Sequence, residues 1–380
     1  MKILFFTQNL ARTGSEVAIY NLIRNADRGV IQMAVAAGTE GELLSRLPPD
    51  VPRSTYALAE TPGLLRRAAR RASRVLAGGA EEWLAGYARE YPGYVWYVNG
   101  IIQPYVLRQA RKFGVECVVH SHEMEHMLWN VQEEDVRNLV EYPRLVIACS
   151  NSSADVLRQL GRADDLEVCY ESVELRDVLS SAERARAVRR SLNVGENTFV
   201  WAMSGSIDPN KNPHAFLELA REMLGRGLDV HFIWVGGGGR GYRPFVEGRT
   251  ELLGLGERVS WVGARVEDYY DYLNAADAFV LTSFRDSFPL VLVEAAALGK
   301  PIASFNSGGV KEFVRPGMGA VTDSWNPSDL AEVMSGLMRG EVEFDPRVAR
   351  ARAEEFDAPA QARRWEEVML AYFGHGPRRA

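Results

Sequence analysis

Short runs of β-branched and aromatic residues alternate along the chain with longer stretches whose apolar positions recur every three or four residues. In the first half the runs fall at residues 3–6, 32–36, 95–98, 115–120 and 145–149, each followed by a turn or by helical periodicity. The second half repeats the rhythm at 199–203, 230–235, 259–262, 278–282 and 301–305, with helices expected over 212–225 and 289–298. Strands that alternate with helices give parallel sheets covered on both faces. The fold class expected is therefore α/β, with two Rossmann-like parallel sheets in tandem.

A length of 380 residues suits two domains of similar size, which implies a cleft. The expected division is a first domain over 1–175, an Arg-rich linker over 176–196 (Arg184, Arg186, Arg189, Arg190) and a second domain over 197–355. The helical pattern at 359–373 has no strand after it, so the segment 356–380 is free to pack back across the first domain. Charge adds one exclusion: 44 basic against 50 acidic residues, a net of −6, argue against a dedicated nucleic-acid protein. Cys117, Cys149 and Cys169 are widely spaced within apolar stretches, as buried reduced thiols of a cytoplasmic protein would be. No apolar run approaches the ~18 residues of a membrane span. A helix over 64–76 with Arg66, Arg67, Arg70, Arg71 and Arg74 on one face reads as a solvated surface, as a contact with an anionic acceptor, or as a peripheral contact with anionic lipid at the inner membrane face.

In open α/β sheets, ligands bind where strand ends lead into helix N-termini. Five segments sit at such places. Residues 8–16 include Gly14 and Ser15, small enough for a phosphate or sugar to approach; the alternative is a tight turn with Ser15 as a helix cap. Residues 120–126 supply His120, His122, Glu123, Glu125 and His126, without the H-E-x-x-H spacing of zinc sites. Residues 203–213 place Lys211 at the mouth of a helix, where a diphosphate would reconcile the cation with the positive dipole end. Residues 236–241 satisfy G-x-G-x-x-G after a strand, but a run of four glycines before Pro244 is as well read as a loop. Residues 281–295 carry Asp286 and, in an otherwise apolar helix, Glu294, a carboxylate that needs hydrogen-bond donors such as sugar or ribose hydroxyls, or a partner such as Lys300. No D-x-D pair is present to offer a divalent metal.

Taken together these segments resemble the retaining, nucleotide-sugar-dependent glycosyltransferases of family 4, which have the GT-B fold. The resemblance spans nearly the whole chain and is most specific over 283–308, where Asp286 and Glu294 stand for the family's two acids seven residues apart, followed by Ala295-Ala296-Ala297-Leu298-Gly299-Lys300-Pro301 and Gly308-Gly309-Val310-Lys311-Glu312-Phe313-Val314. Thr13-Gly14-Ser15-Glu16 is similar to the family's G-G-x-E turn, Gly205 to Asn212 to its G-R-x-x-x-K segment, and His122-Glu123 to its histidine segment. Three positions depart: Thr13 replaces a glycine, Ser206 an arginine and Asp286 a glutamate.

The resemblance implies transfer of a sugar from a nucleotide-diphosphate donor to a hydroxyl acceptor, with retention and without metal or other cofactor. It assigns Glu294 to the ribose, and Asp286 with the backbone of Ser287, Phe288, Pro289 and Leu290 to the donor sugar and diphosphate. Lys211 would hold the diphosphate beside Gly205 and Ser206, with Arg265 or Arg285 compensating for the missing arginine. The loop around Gly263 and Arg265 would receive the base. His122 would lie near the reacting carbon, and Gly14 and Ser15 would face the phosphates. A non-catalytic nucleotide-sugar-binding subunit and, through the glycine run, a dinucleotide-dependent oxidoreductase are the other readings.

Overall fold

The computed structural model describes residues 1–55, 77–101, 103–128, 131–238 and 241–374. The basic segment 64–76 and its five arginines lie outside the described residues. The ten apolar runs all form strands: nine lie inside the sheets, where a strand buried on both faces must be apolar at every position, and the tenth, at 259–262, is a partly buried edge strand. The first sheet contains β1 (Lys2–Thr7), β2 (Gln32–Ala37), β3 (Arg53–Thr55), β4 (Val95–Asn99), β5 (Cys117–Ser121), β6 (Leu145–Ala148) and β7 (Leu166–Val168), in the order β3-β2-β1-β4-β5-β6-β7 and parallel throughout. The second contains β8 (Phe199–Ser204), β9 (Val230–Val235), β10 (Val259–Gly263), β11 (Ala278–Leu281), β12 (Ile302–Phe305) and β13 (Gly319–Thr322), in the order β10-β9-β8-β11-β12-β13, again parallel.

Alternation along β1 assigns its side chains to two cores. Ile3 and Phe5 face a cluster with Ile19, Leu22 and Ile23 of the helix Gly14–Asn25 and with Trp365 and Met369 of the helix Ala358–Phe373. Leu4 and Phe6 face the opposite cluster, with Leu84, Val106, Leu107 and Leu139. Trp365 is fully buried, and its Nε1 donates to Tyr97 Oη at 3.1 Å. The C-terminal helix is thus part of the first sheet's core.

The chain divides into one unit of Met1–Glu171 with Ala358–Ala380, and a second of Ser172–Asp357. The stretch read as a linker, 176–196, contains instead a helix of the second unit, Ala182–Ser191. Ala185 and Val188 are buried there, Arg189 donates to the carbonyls of Ala275 and Thr198, and Arg184 pairs with Asp271. Two of the four arginines that made the segment look like a solvated connector, Arg184 and Arg189, are its anchors, while Arg186 and Arg190 are exposed.

Among the described residues no helix is long and apolar enough to cross a membrane. All three cysteines are free and buried.

Candidate active site

In each sheet the strand order reverses direction at one place, between β1 and β4 in the first and between β8 and β11 in the second. The loops leaving those strands diverge and open a crevice, which is where α/β sheets bind ligands. Every one of these four strands ends its apolar run, or passes directly, into a polar side chain: Thr7, Asn99, Ser204 and Thr282.

In the second unit the loop after β8 is tied to the loop after β11. Asn210 Nδ2 donates to the Arg285 carbonyl at 2.8 Å, its Oδ1 accepts from Arg285 N at 3.1 Å, and Thr282 Oγ1 donates to the Lys211 carbonyl at 2.8 Å. These bonds bring Lys211 Nζ to 2.8 Å from Asp286 Oδ2. Asp286 is therefore an ion-pair partner; Pro289 occupies the cap position of the helix Leu290–Ala297. Of the segment 287–290, Ser287, Phe288 and Leu290 bring backbone N–H groups and Pro289 brings none. Phe288 is buried against Phe313 and Phe356, which anchors the turn.

Glu294 does not pair with Lys300, whose Nζ donates to the Asn274 carbonyl at 2.9 Å. Burial pulls that ammonium's pKa down to about 8. Tyr269 Oη donates to Glu294 Oε2 at 2.7 Å and Tyr270 Oη to Oε1 at 3.2 Å, while Ser204 Oγ lies 2.9 Å from Tyr269 Oη. Burial, followed by the nearby Glu294 charge, holds the Tyr269 phenol well above its usual range, so it remains a donor.

Ser206 Oγ is bonded to Asp208, and the other Asp208 oxygen accepts from Lys211 N at 3.0 Å. Of the arginines considered as substitutes for the missing one, Arg265 lies with its guanidinium 4.6 Å from the Tyr272 ring centroid and 3.5 Å from Asp268. Arg285 Nη1 donates to the Phe284 carbonyl. Gly263 ends β10 with φ +77°, and its carbonyl accepts from Gly236 N at 2.9 Å.

The glycine run has a packing reason. Gly236 has φ +150°, and a Cβ there would fall 1.9 Å from the Gly205 carbonyl oxygen. At Gly238 a Cβ would fall 2.7 Å from Ile207 Cβ. Those two glycines let the loops after β8 and β9 touch, as the Ile207–Gly238 bridge records. Gly239 and Arg240 lie outside the described residues.

In the first unit Thr13, without a side-chain bond, caps the helix Gly14–Asn25, so Ser15 is inside it and is not the cap. Glu16, buried, accepts from Thr7 Oγ1, from Gln8 N at 3.2 Å and from Leu10 N at 2.8 Å. That carboxylate fastens the loop after β1, where Leu10 takes φ +45°. Glu123 does the same for the loop after β4, accepting from Ile101 N at 3.1 Å and His122 N at 2.8 Å.

His122 is buried, and both ring nitrogens are engaged: Nδ1 lies 2.7 Å from Glu171 Oε1 and Nε2 2.7 Å from Asn99 Oδ1. Asn99 Nδ2 is directed to Thr7 Oγ1 and the Ser15 carbonyl, so its oxygen is the atom facing His122. Two acceptors on one imidazole call for two N–H donors, which is the imidazolium. Burial alone pulls the His122 pKa down, but bonding to Cys149 and Glu171 and the Glu171 charge outweigh it, raising it to about 10. His120, at a ring centroid distance of 4.2 Å, is driven well below the ordinary histidine value by burial and then by His122. A Cβ on Gly14 would lie 3.9 Å from Glu171 Oε2, so the first helix begins beside this pair.

His122, Cys149 and Glu171 also present three potential metal ligand atoms within 4.8 Å of one another. Holding a metal there would require the His122 imidazolium and the Cys149 thiol, whose pKa burial raises, each to give up a proton. The sequence reading missed Asn99, Glu171, Ser204, Tyr269 and Tyr270. The one local signal was a polar residue closing an apolar strand, as Asn99 and Ser204 do.

Two parallel Rossmann-like sheets, each with its polar cluster at the switch point, constitute the GT-B fold. Residues 185–355, nearly all of the second unit, match the family described as glycosyl transferases group 1. It is similar to D-inositol 3-phosphate glycosyltransferases: 27% identical over 384 residues to that of Mycobacterium sp. (strain KMS), covering 96% of this chain and 82% of the relative. For the enzyme from Rhodococcus jostii (strain RHA1) the identity is 26% over 400 residues, with coverage of 97% and 84%. Among solved structures, Anabaena Alr3699/HepE in complex with UDP-glucose superposes with a TM-score of 0.79 at 24% identity, covering 98% of this chain and 100% of that one. Sucrose-phosphate synthase from Thermosynechococcus elongatus does so at 0.73 and 18%, covering 98% and 97%.

Proposed function

We propose that the protein is a retaining glycosyltransferase that moves a sugar from a nucleoside-diphosphate donor to a hydroxyl acceptor without a metal ion. The observation that carries this reading is the convergence of Lys211, Asp286, Glu294 and the N-terminus of the helix Leu290–Ala297 at the switch point of the second sheet. Glu294 takes the ribose hydroxyls, Lys211 and the N–H groups of Ser287, Phe288 and Leu290 take the diphosphate, and Asp286 takes the donor sugar. The first unit, with His122, serves the acceptor. Anabaena Alr3699/HepE, crystallised with UDP-glucose, and relatives named for transfer to inositol 3-phosphate favour a UDP-sugar and a phosphorylated polyol as the first pair to try.

The bond from the sugar's C1 to the diphosphate oxygen breaks, and the acceptor oxygen bonds C1 on the same face. The acceptor's proton passes to the departing phosphate oxygen. Negative charge grows on the leaving group, and an ammonium with a helix N-terminus stabilises it in the way a divalent ion otherwise would. His122, already protonated, acts as a fixed cation and not as a base.

The test is a transfer assay with UDP-, GDP-, ADP- and TDP-sugars in the presence of EDTA, with the product's anomeric configuration read by NMR. Turnover with the donor's configuration kept supports the reading. Inversion, or activity that EDTA abolishes, refutes retention or metal independence respectively. Tight donor binding without turnover on any acceptor would turn the assignment to a non-catalytic binding subunit.

A further inference from the structure

We propose that Tyr269 is a positioning residue that sets the protein's selectivity for a ribonucleotide, acting through Glu294; this rests on the assignment of Glu294 to the ribose. Three elements contribute to one line of hydroxyls. Ser204 closes β8, Tyr269 opens the helix Tyr269–Ala275, and Glu294 lies within the helix Leu290–Ala297. The distances are 2.9 Å from Ser204 Oγ to Tyr269 Oη and 2.7 Å from Tyr269 Oη to Glu294 Oε2. A carboxylate only accepts, so the Tyr269 proton points to Glu294 and Ser204 donates to Tyr269 in turn. Tyr270, from the same helix, donates to the other oxygen at 3.2 Å.

The two phenols meet different oxygens, which fixes the carboxylate's rotation about its terminal bond. That torsion is otherwise broad. A carboxylate has about four lone-pair sites, so two phenols do not exhaust it. Held in one plane, its two oxygens span the vicinal hydroxyls of a ribose, and a sugar lacking one of them leaves an acceptor unmatched. Such a mismatch is what makes polar sites selective. Tyr269 carries more of this than Tyr270, because its bond is the shorter and is itself backed by Ser204.

Calorimetric titration of the full chain with UDP and with 2′-deoxy-UDP tests this. Wild type binds UDP more tightly, and Glu294→Gln removes most of the difference. Tyr269→Phe keeps the ring and drops UDP affinity about tenfold, with much less effect on the deoxy analogue, as expected for one charge-assisted bond. Ser204→Ala, which removes only the donor behind Tyr269, produces a smaller loss of the same selectivity and serves if Tyr269→Phe does not fold. Unchanged selectivity in Tyr269→Phe, or in Ser204→Ala where that variant stands in, while Glu294→Gln loses it, overturns the role of Tyr269 and leaves the ribose assignment intact. No selectivity in wild type, or full selectivity in Glu294→Gln, overturns the ribose assignment and the proposal together.

Discussion

Replacing Lys211 by Met separates two roles that one ammonium could have, holding Asp286 or stabilising a leaving diphosphate. The pair is close, at 2.8 Å, with the two side chains 21% and 14% exposed. That exposure lies between a surface pair, worth ~0–1 kcal/mol, and a fully buried one, whose breaking costs ~3–5 kcal/mol. Lys211→Met should therefore destabilise the second unit by about 2 kcal/mol, roughly 4–8 °C in melting temperature for a domain of this size. Its effect on rate should be larger. A cation within ~4 Å of a developing phosphate charge contributes about 4 kcal/mol at an effective dielectric constant near 20, and losing a preorganised donor costs ~10²–10³ in kcat. Asp286→Asn removes the partner and leaves the ammonium, so its kcat should fall less than that of Lys211→Met, and the double variant, which also loses the carboxylate that takes the donor sugar, should fall below the lysine variant. Steady-state kinetics with a UDP-sugar, alongside thermal melting, read both effects. A kcat for Lys211→Met no lower than that of Asp286→Asn would refute the electrostatic role and leave Lys211 as a strut for Asp286.

Glu16→Gln should cost roughly 2–3 kcal/mol in a denaturant titration, because an amide gives back only one oxygen to the Thr7, Gln8 and Leu10 donors and turns an N–H group toward them; a change below ~0.5 kcal/mol would show that the loop after β1 is held by other contacts. Glu171→Gln should bring the His122 pKa down from about 10, read by the ring's NMR shifts against pH. In wild type the folded value lies above the ordinary 6.5, so this group's stabilisation is complete below about 6.5 and is lost as pH rises through 10. A stability profile in Glu171→Gln identical to wild type across that window would remove the ion pair from the account. Gly236→Ala should fail to fold or melt far lower, since its Cβ would meet the Gly205 carbonyl oxygen at 1.9 Å, whereas Gly241→Ala meets nothing within 4 Å and should be silent by thermal melting. Equal behaviour of the two would mean that the glycine run is not there for packing.

Residue order alone made legible the α/β class, ten of the thirteen strands and the places where chemistry gathers, because strands buried on both faces must be apolar throughout and the loops after them must not be. The three strands it did not reveal, β3, β7 and β13, are three of the four edge strands; the fourth, β10, kept enough apolar residues to be read. An edge strand pairs on one side only and is partly exposed, so nothing forces the apolar run that betrays a central strand. The cost of a carboxylate in the apolar run 290–297 was likewise plain from the sequence, and so Glu294 stood out. Which groups meet that cost was decided by tertiary structure: Tyr269 and Tyr270 rather than Lys300, through contacts 25 and 24 residues apart in sequence. Lys211 meets Asp286 across 75 residues and His122 meets Glu171 across 49. Strand order alone brings such partners together, and it is set by how whole sheets pack, which no local pattern of residues encodes.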